Sequence, residues 1–454
     1  MQNRAQWQSR LGFVLAATGS AVGLGNIWKF PYITGVNGGG LFVLIYLVCI
    51  AAVGIPILAA EVLLGRATAN SPVGAFRTVA GKGSPWILVG GLGVLTAGTI
   101  LSYYGVVAGW CLEYVFVSLS GALARTETEA IPELFGALYA SGTRNLVWLT
   151  IFTAATIWVL LGGVRKGVEK AARILMPLLF LMLAVLVVHS LTLPGLGPAL
   201  EFLFFPRWDE ITPAGVLEAL GHSFFSLSVA MGAILTYGSY LSRDESIPVS
   251  TFTIGGLDTL ISLMACLVIF PVIFSFGMQP QAGPGLVFQS IPLALMQMPG
   301  GSLWSTLFFV LLFLAAWTSA ISLLEVLVAY GMDEWKMRRK TAALLFGALV
   351  YVVGIPSALS GTDTFFGKGL ADATGRNWFD WFDYVASNWF LPIGGLGISV
   401  FVAWKMDEKL RRASFVEGTP GAWQARLYRG WFFLLRWVAP LAVTAILLHG
   451  LRVF

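Results

Sequence analysis

The stretch that decides the fold reads G-S-A-V-G-L-G-N-I-W-K-F-P-Y and occupies residues 19–32. It lies in the middle of an apolar segment, near residues 11–36, which is long enough to cross the roughly 30 Å hydrocarbon core of a bilayer as a helix. Gly19, Gly23 and Gly25 crowd the centre of this segment. The pattern predicts a membrane-spanning helix that is interrupted near its midpoint. An interruption leaves backbone N–H and C=O groups free, and each costs several kcal/mol in hydrocarbon unless protein, an ion or a substrate satisfies it.

A second segment has the same character, because the run F-S-L-S-V-A-M-G at residues 225–232 places small and hydroxyl residues at its centre. It lies five spans after the first, as expected if two five-helix repeats have opposite topologies, and interrupted helices in matching positions indicate a binding site near the bilayer midplane. Free carbonyls suit a cation, and free amides at the start of a half-helix suit a carboxylate. The spacing of Gly19 and Gly23 also fits a close-packing motif between helices, and the residues alone leave that alternative open.

Composition places the rest of the chain in the membrane as well. The 454 residues are 57% hydrophobic and 11% charged, whereas soluble proteins carry about 25% charged residues. The apolar runs are long, and the short alternating segments of a transmembrane barrel do not appear. We therefore predict an all-α polytopic membrane protein in which residues 1–454 form a single transmembrane domain. Its first repeat covers about 11–190, its second about 215–404, and an extra helix about 431–450. The predicted spans lie near residues 11–36, 41–65, 86–119, 146–162, 171–190, 215–241, 250–277, 302–331, 341–357, 381–404 and 431–450.

The distribution of the charges that give the net charge of +5 indicates the topology of the chain in the membrane. With the N-terminus in the cytoplasm, most Lys and Arg residues between spans fall on the inner side, which fits the positive-inside rule in one orientation only. We therefore expect a multi-pass protein of the cell's inner (plasma) membrane with its C-terminus outside, whose partners are the lipid bilayer and a small molecule rather than nucleic acid. Cys49, Cys111 and Cys266 all sit in apolar stretches, as buried small hydrophobes do.

Several motifs in order along the chain resemble the neurotransmitter:sodium symporter family, which includes many bacterial amino-acid transporters. Residues 19–32 are followed by Asn37-Gly38-Gly39-Gly40, Gly54-Ile55-Pro56, Tyr103-Tyr104 and Thr318-Ser319. Eleven spans without a twelfth resemble one bacterial branch. The resemblance implies a 5+5 inverted-repeat fold with broken first and sixth helices. It also implies sodium-coupled symport by alternating access, in which a bundle of helices one, two, six and seven moves against the remaining scaffold.

The resemblance implies two sodium sites. The second would use the carbonyls of Gly19, Val22 and Ala315 with the hydroxyls of Thr318 and Ser319. From the residues alone, those hydroxyls fit helix back-bonding to the preceding turn equally well. The first site would combine the substrate carboxylate with the Ala21 carbonyl and the side chains of Asn26, Ser226 and Asp258.

Asp258 departs from the animal members of the family, which have asparagine here and a chloride ion nearby. A carboxylate inside a span is costly unless it is paired or functional. We therefore expect Asp258 to supply the charge that chloride supplies elsewhere, so that transport does not require chloride. Protonation of Asp258 in the empty return step, giving proton antiport, is a further hypothesis. His222, Ser262 and Tyr46 occupy the region of the family's chloride site, and His222 can be either a titrating group or a helix-interior histidine.

Gly23 determines the expected substrate class. Monoamine carriers of the family have aspartate at this position, so glycine implies a substrate that brings its own carboxylate, an α-amino acid. By resemblance, the amides of Leu24 and Gly25 and the hydroxyl of Tyr104 would hold that carboxylate, while the carbonyls of Ala21 and Phe225 with Ser228 would receive the ammonium group. The uncharged side-chain pocket predicts neutral hydrophobic substrates, branched or aromatic, because a charged side chain would be buried unpaired. Its lining would comprise Ile100, Tyr104, Phe225, Met231, Ser319 and Leu323.

Charged pairs are the expected gates. Lys29 would pair with Asp383 on the extracellular side, although the family commonly has arginine at the first position and lysine forms only a point contact. Arg4 would pair with Asp333 on the cytoplasmic side, supported by Trp7, Ser239 and Tyr240. Glu61 would hydrogen-bond to the broken sixth helix, with a role as a proton carrier as its alternative.

Other classes fit less well. An intramembrane enzyme would need a nucleophile–base set or a metal cluster, whereas His189, His222 and His449 are scattered along the chain. A channel would show a repeated pore element or charged rings. A sensor that binds an amino acid without moving it shares the same site, and the sequence does not separate it from a transporter.

Overall fold

A computed structural model describes residues 5–208, 210, 212–279, 285–418 and 424–451. Within these residues the chain is helical and contains no β-strand. Nine helices of the described chain are long and apolar enough to span a membrane, and one bent pair forms a further span. The first span is the pair Arg10–Ala21 and Gly25–Val36, whose halves are bent by 50°. The second to fifth spans are Gly40–Thr68, Ile87–Leu119, Gly142–Leu161 and Val164–Ser190, and the seventh to eleventh are Ile247–Ser275, Gly301–Glu334, Arg339–Ala358, Trp378–Lys405 and Gln424–Gly450.

The sixth span is interrupted, as the sequence predicts. It consists of the helices Pro213–Ser226 and Ala233–Gly238, separated by the non-helical residues 227–232. The interruptions in the first and sixth spans therefore fall within the two runs of small residues. Each of the eleven predicted spans coincides with an observed helix or broken pair of helices. Seven lie within the observed bounds, and those predicted at 86–119, 146–162, 215–241 and 250–277 run one to three residues past an observed end.

Local capping explains where several spans begin. The Ser9 side chain accepts a hydrogen bond from the amide of Gly12 at 3.1 Å, and Thr212 accepts one from Gly215 at 3.0 Å. Such N-cap residues satisfy amides that have no partner inside the helix. Pro213 follows Thr212 in the first turn of its helix, where a missing N–H costs nothing.

Packing brings the two interruptions together. The first span contacts the fifth, seventh and eighth spans, and the third span packs along the eighth. The inner half of the sixth span lies against the second span at two glycines. A Cβ on Gly65 would lie 2.1 Å from the carbonyl oxygen of Leu235, and one on Gly238 would lie 2.9 Å from Cα of Val62. This close approach positions the second span beside the break in the sixth.

Shorter helices occupy the connections, and the sequence analysis did not predict them because they are too short to span a bilayer. They are Pro72–Ala80, Ile131–Ala140, Leu196–Phe204, Leu286–Met296 and Glu408–Val416.

Candidate functional site

The break in the sixth span holds strained backbone. Ser228 and Ala230 have φ values of 52° and 66°, in the left-handed region that non-glycine residues seldom adopt. The fully buried carboxylate of Glu61, on the second span, accepts hydrogen bonds from the amides of Ala230 and Leu235. The contact predicted for Glu61 is therefore present, and it satisfies amides that the break has released from helical pairing.

The break in the first span is stabilised in a similar way. Val22 is extended, with φ −72° and ψ 102°. The Asn26 side-chain oxygen accepts a hydrogen bond from the amide of Gly23 at 3.0 Å, and the Tyr104 hydroxyl accepts one from the amide of Leu24, also at 3.0 Å. Both partners are almost completely buried, so the freed amides face fixed polar groups rather than lipid.

A small cavity of about 20 Å³ lies between the two breaks. Ten of the twelve predicted substrate residues line it, and the lining comprises Ser20, Ala21, Gly23, Gly25, Ile100, Tyr104, Phe225, Ser228, Met231, Ser319 and Leu323.

Two predicted substrate residues do not line the cavity. Leu24 is absent from the lining, although its amide donates a hydrogen bond to the Tyr104 hydroxyl. The Ser226 hydroxyl is instead hydrogen-bonded to Asp258 at 2.6 Å. Ser20 is a lining residue that the sequence analysis missed, although it belongs to the same run of small residues. Its carbonyl accepts hydrogen bonds from the hydroxyls of Ser228 and Ser319, at 2.7 and 3.1 Å.

The cavity has two chemically different parts. Ile100, Met231 and Leu323, each at most 3% exposed, form an apolar wall. Hydroxyl groups and the unwound backbone of both breaks form the other part. No side chain in the lining carries a charge. The arrangement suits a ligand with a polar head and an uncharged, hydrophobic body.

A buried polar cluster lies beside the first break. Asn26 donates a hydrogen bond to Asp258 at 2.6 Å, and Ser226 and Tyr46 both face the second oxygen of that carboxylate, at 2.6 and 3.4 Å. Asn26 also donates to Ser262 at 2.9 Å. All five residues are 0% exposed. Because the carboxylate has only neutral hydrogen-bond partners, its negative charge remains available to a cation at this position.

His222 packs beside this cluster without joining it. Its ring stacks on Phe30, with centroids 5.8 Å apart, and is tilted against Tyr46 at 5.6 Å. Within the described residues neither ring nitrogen has a hydrogen-bond partner, and the residue is 3% exposed. The geometry corresponds to a histidine packed inside a helix bundle.

The oxygen atoms predicted for the second sodium site lie close together. The Ser319 hydroxyl is 3.3 Å from the carbonyl oxygens of both Gly19 and Val22. The Thr318 hydroxyl is 3.0 Å from the carbonyl oxygen of Ala315 and makes the helix back-bond that the sequence left open. Oxygen atoms from the first and eighth spans therefore converge at this position.

Two of the residues predicted to form or support the gates make aromatic contacts. The Trp7 indole donates to the carbonyl of Tyr237 at 3.0 Å, and its ring packs edge-on against Tyr240. Lys29 lies over the partly exposed ring of Phe225, a lining residue of the cavity, with its Nζ 5.1 Å from the ring centroid.

Of the two predicted gate pairs, Lys29 with Asp383 lies within the described residues, and it is not formed as an ion pair there. Within these residues Lys29 and Asp383 do not approach within 4 Å, because Asp383 accepts hydrogen bonds from Tyr103 at 3.0 Å and from Ser387 at 3.1 Å while Lys29 covers Phe225. Arg4 lies outside the described residues. Its predicted partner Asp333 accepts a hydrogen bond from the amide of Ser71 at 2.6 Å.

Comparison with known proteins identifies the family. The model of the sodium:neurotransmitter symporter family matches residues 4–135 and 133–454. The chain belongs to this family.

Relatives extend the assignment over the whole chain. It is 38% identical to YhdH of Bacillus subtilis, described as an uncharacterized sodium-dependent transporter, over 99% of this chain and 98% of that protein. It is 25% identical to a sodium- and chloride-dependent GABA transporter of Drosophila melanogaster, over 78% of this chain and 43% of that protein. Among solved structures, the crystal structure of MhsT in complex with L-phenylalanine superposes with a TM-score of 0.89 and 43% identity, covering 98% of this chain and 99% of that one.

This symporter-family chain is therefore a multi-pass membrane protein and a sodium-dependent transporter of a small molecule. The predicted family and the fold class are confirmed.

Proposed function

We propose that the protein is a symporter that couples sodium entry to the uptake of neutral hydrophobic L-amino acids, branched or aromatic. The observation that carries the proposal is the buried cavity between two interrupted spans. It combines one apolar, uncharged wall with freed backbone groups and hydroxyls. A zwitterion fits such a site, because its two charges meet backbone and hydroxyl groups while its side chain meets hydrocarbon.

The substrate carboxylate would lie near the amides of Leu24 and Gly25 and the Tyr104 hydroxyl. A Cβ on Gly23 would lie 2.6 Å from the Tyr104 hydroxyl, so the absence of a side chain there supports room for that carboxylate. The ammonium group would face the carbonyls of Ala21 and Phe225 and the Ser228 hydroxyl. The L-phenylalanine in the MhsT complex supports a bulky neutral substrate for this chain.

Two sodium ions would be transported with the substrate. The first would be bound by the Ala21 carbonyl, Asn26, Ser226, Asp258 and the substrate carboxylate, so that the ion and the amino acid require one another. The second would replace the hydrogen bonds of Ser319 at the carbonyls of Gly19 and Val22 and would also contact Ala315 and Thr318. Unwound carbonyls and hydroxyls are the ligands that sodium sites of broken-helix transporters use.

Asp258 would make transport independent of chloride. It provides a fixed negative charge beside the first sodium position, where its carboxylate has only neutral partners. Proton binding by Asp258 in the empty carrier would allow the return step to carry a proton outward.

Transport would follow alternating access, with repeats of about 11–190 and 215–404 and an additional helix at 431–450. We place the protein in the inner (plasma) membrane with the N-terminus in the cytoplasm and the C-terminus outside. Lys29, paired with Asp383 when the site is closed, would form the outer gate. Arg4 and Asp333 would form the inner gate beside Trp7.

The test is uptake of labelled leucine, methionine, tryptophan, tyrosine, alanine, glutamate and lysine into proteoliposomes, with and without an inward sodium gradient. We expect sodium-dependent accumulation of the bulky neutral amino acids, and no accumulation of glutamate or lysine. Binding of these amino acids without sodium-driven accumulation would overturn the proposal and favour a sensor. Accumulation that ceases when chloride is replaced by gluconate would overturn the role given to Asp258.

A further inference from the structure

A second basic site lies outside the transport cavity, where the tenth span ends and the eleventh begins. Arg436 is part of the eleventh span and lies beside Trp404, the next-to-last residue of the tenth. Its guanidinium carbon is 5.5 Å from the Trp404 ring centroid, 5.6 Å from that of Phe432 and 5.3 Å from that of Trp437. All three distances are within the range of cation–π attraction, about 6 Å.

Within the part of the chain that the structure describes, the guanidinium has aromatic neighbours and no hydrogen-bond acceptor. Its Nε is buried without a hydrogen-bond partner, and no carboxylate of the described chain forms an ion pair with it. A charged side chain in a span is costly, so it normally faces an acceptor or a water-filled space. The guanidinium carries five N–H donors in a fixed planar fork. The aromatic rings hold this fork in place, and none of its donors is bonded to an acceptor in the described protein.

Arg411 provides a contrast within the same structure. Its guanidinium stacks on the same Phe432 ring at 4.2 Å, but it donates to the carbonyls of Val402, Ala403 and Met406 and to the Tyr428 hydroxyl. Arg411 is therefore a buried structural residue whose donors are satisfied. Arg436, 5.6 Å from the same ring centroid, has the donors but no acceptor among the described residues.

The aromatic residues around Arg436 are exposed on the surface of the protein. Trp404 and Trp437 are 44% and 51% exposed, their rings meet edge-on at 5.9 Å, and Phe433 beside them is 58% exposed. Exposed tryptophans at the end of a span are typical of the headgroup level of a membrane. The stretch from the end of the tenth span to Arg436, residues 405–436, contains seven Lys and Arg residues and three Asp and Glu residues. Such a basic juxtamembrane cluster attracts anionic lipid.

We propose that Arg436, with Trp404 and Trp437, binds the phosphate of an anionic phospholipid at this corner of the protein. The planar fork matches two phosphate oxygens, and the exposed indole rings contact the glycerol and the first part of the acyl chains. The ligand is a membrane lipid rather than free phosphate, because the guanidinium lies between exposed apolar rings. The site is separate from the sodium and substrate positions.

The test is native mass spectrometry of the full-length protein in detergent, titrated with phosphatidylglycerol or phosphatidylcholine. We expect one phosphatidylglycerol to bind more tightly than phosphatidylcholine. Arg436→Gln should weaken that binding about tenfold or more, because a charge-assisted hydrogen-bond pair is lost. Arg429→Gln is the matched control: it makes the same charge change on the same helix at an exposed position, where Nε is bonded to the carbonyl of Ala425. It should leave the binding of the single lipid unchanged.

Arg436→Lys distinguishes a site that depends on the shape of the guanidinium from general electrostatic attraction to anionic lipid. It retains the charge but loses the fork, so an intermediate affinity supports the proposal even if Arg436→Gln does not fold. Equal phosphatidylglycerol affinities in the Arg436 and Arg429 variants would overturn it and leave Arg436 as a side chain that extends to water. Equal binding of the two lipids by the wild type would also overturn it. Displacement of the lipid by millimolar inorganic phosphate would show a free-anion site instead.

Discussion

Adding one methyl group at Gly23 tests the proposed substrate position most directly. A Cβ on Gly23 would lie 2.6 Å from both the Tyr104 hydroxyl and the Ser319 hydroxyl. That separation is 0.8 Å shorter than 3.4 Å, the distance at which ordinary van der Waals contact begins. Gly23→Ala therefore forces one of the two hydroxyls to move.

The expected cost follows from what those hydroxyls do. The Tyr104 hydroxyl is held by the amide of Leu24 at 3.0 Å and is the proposed donor to the substrate carboxylate. Hydrogen bonds to charged groups contribute about 1.5–3 kcal/mol, so losing this one should weaken substrate affinity about ten- to hundredfold. Because the Ser319 hydroxyl contacts the carbonyls of Gly19 and Val22, the sodium concentration for half-maximal binding should also rise.

The assay is equilibrium binding of a labelled hydrophobic amino acid to purified protein over a series of sodium concentrations, with thermal unfolding measured in parallel. Gly221→Ala is the control, because a Cβ there meets no atom within 4 Å, and it should leave binding unchanged. The reasoning would be refuted if Gly23→Ala bound the substrate with the affinity of the wild type. It would be refuted too if Gly23→Ala lost affinity only in proportion to lost folded protein.

Three further substitutions test other parts of the site. Glu61→Gln should lower the midpoint of thermal unfolding, because a neutral side chain with one oxygen cannot serve the amides of both Ala230 and Leu235 as the carboxylate does; an unchanged midpoint would exclude this structural role. Asp258→Asn should impair uptake in gluconate buffer and regain part of it in chloride, and equal uptake in both buffers would contradict the charge argument. Thr318→Ala should raise the sodium concentration for half-maximal uptake severalfold while leaving unfolding nearly unchanged, since the hydroxyl only back-bonds to its own helix; an unaltered sodium dependence would remove Thr318 from the second sodium site.

The membrane spans and both interruptions are predictable from the sequence. Span length follows from the thickness of the hydrocarbon core, and a run of about twenty apolar residues has few other stable environments. Small and hydroxyl residues are concentrated at the centres of the runs at residues 19–32 and 225–232, so they mark the breaks locally. Ten of the twelve substrate residues that the family resemblance implied line the cavity.

Contacts between segments that are distant in the sequence could not be predicted in this way. Ser20 lines the cavity because the break turns its carbonyl toward Ser228 and Ser319, which lie more than 200 residues further along the chain. Lys29 covers Phe225 instead of reaching Asp383 in this structure, since Asp383 is held by Tyr103 and Ser387. A side chain with several possible partners cannot be assigned to one of them from sequence separation alone.

The sequence by itself determined the membrane class, the number of spans, the positions of the breaks and the family. These depend on hydrophobic length and on local composition, both of which can be read along the chain. Only the tertiary structure decided which groups meet the buried polar side chains. Glu61 holds the left-handed backbone at Ala230. Among the described residues, Asp258 has only neutral hydrogen-bond partners, and Arg436 is surrounded by aromatic rings without an acceptor. The physical reason is that a buried polar group depends on which groups the packed helices bring within about 3 Å of it, and that distance is set by the fold as a whole.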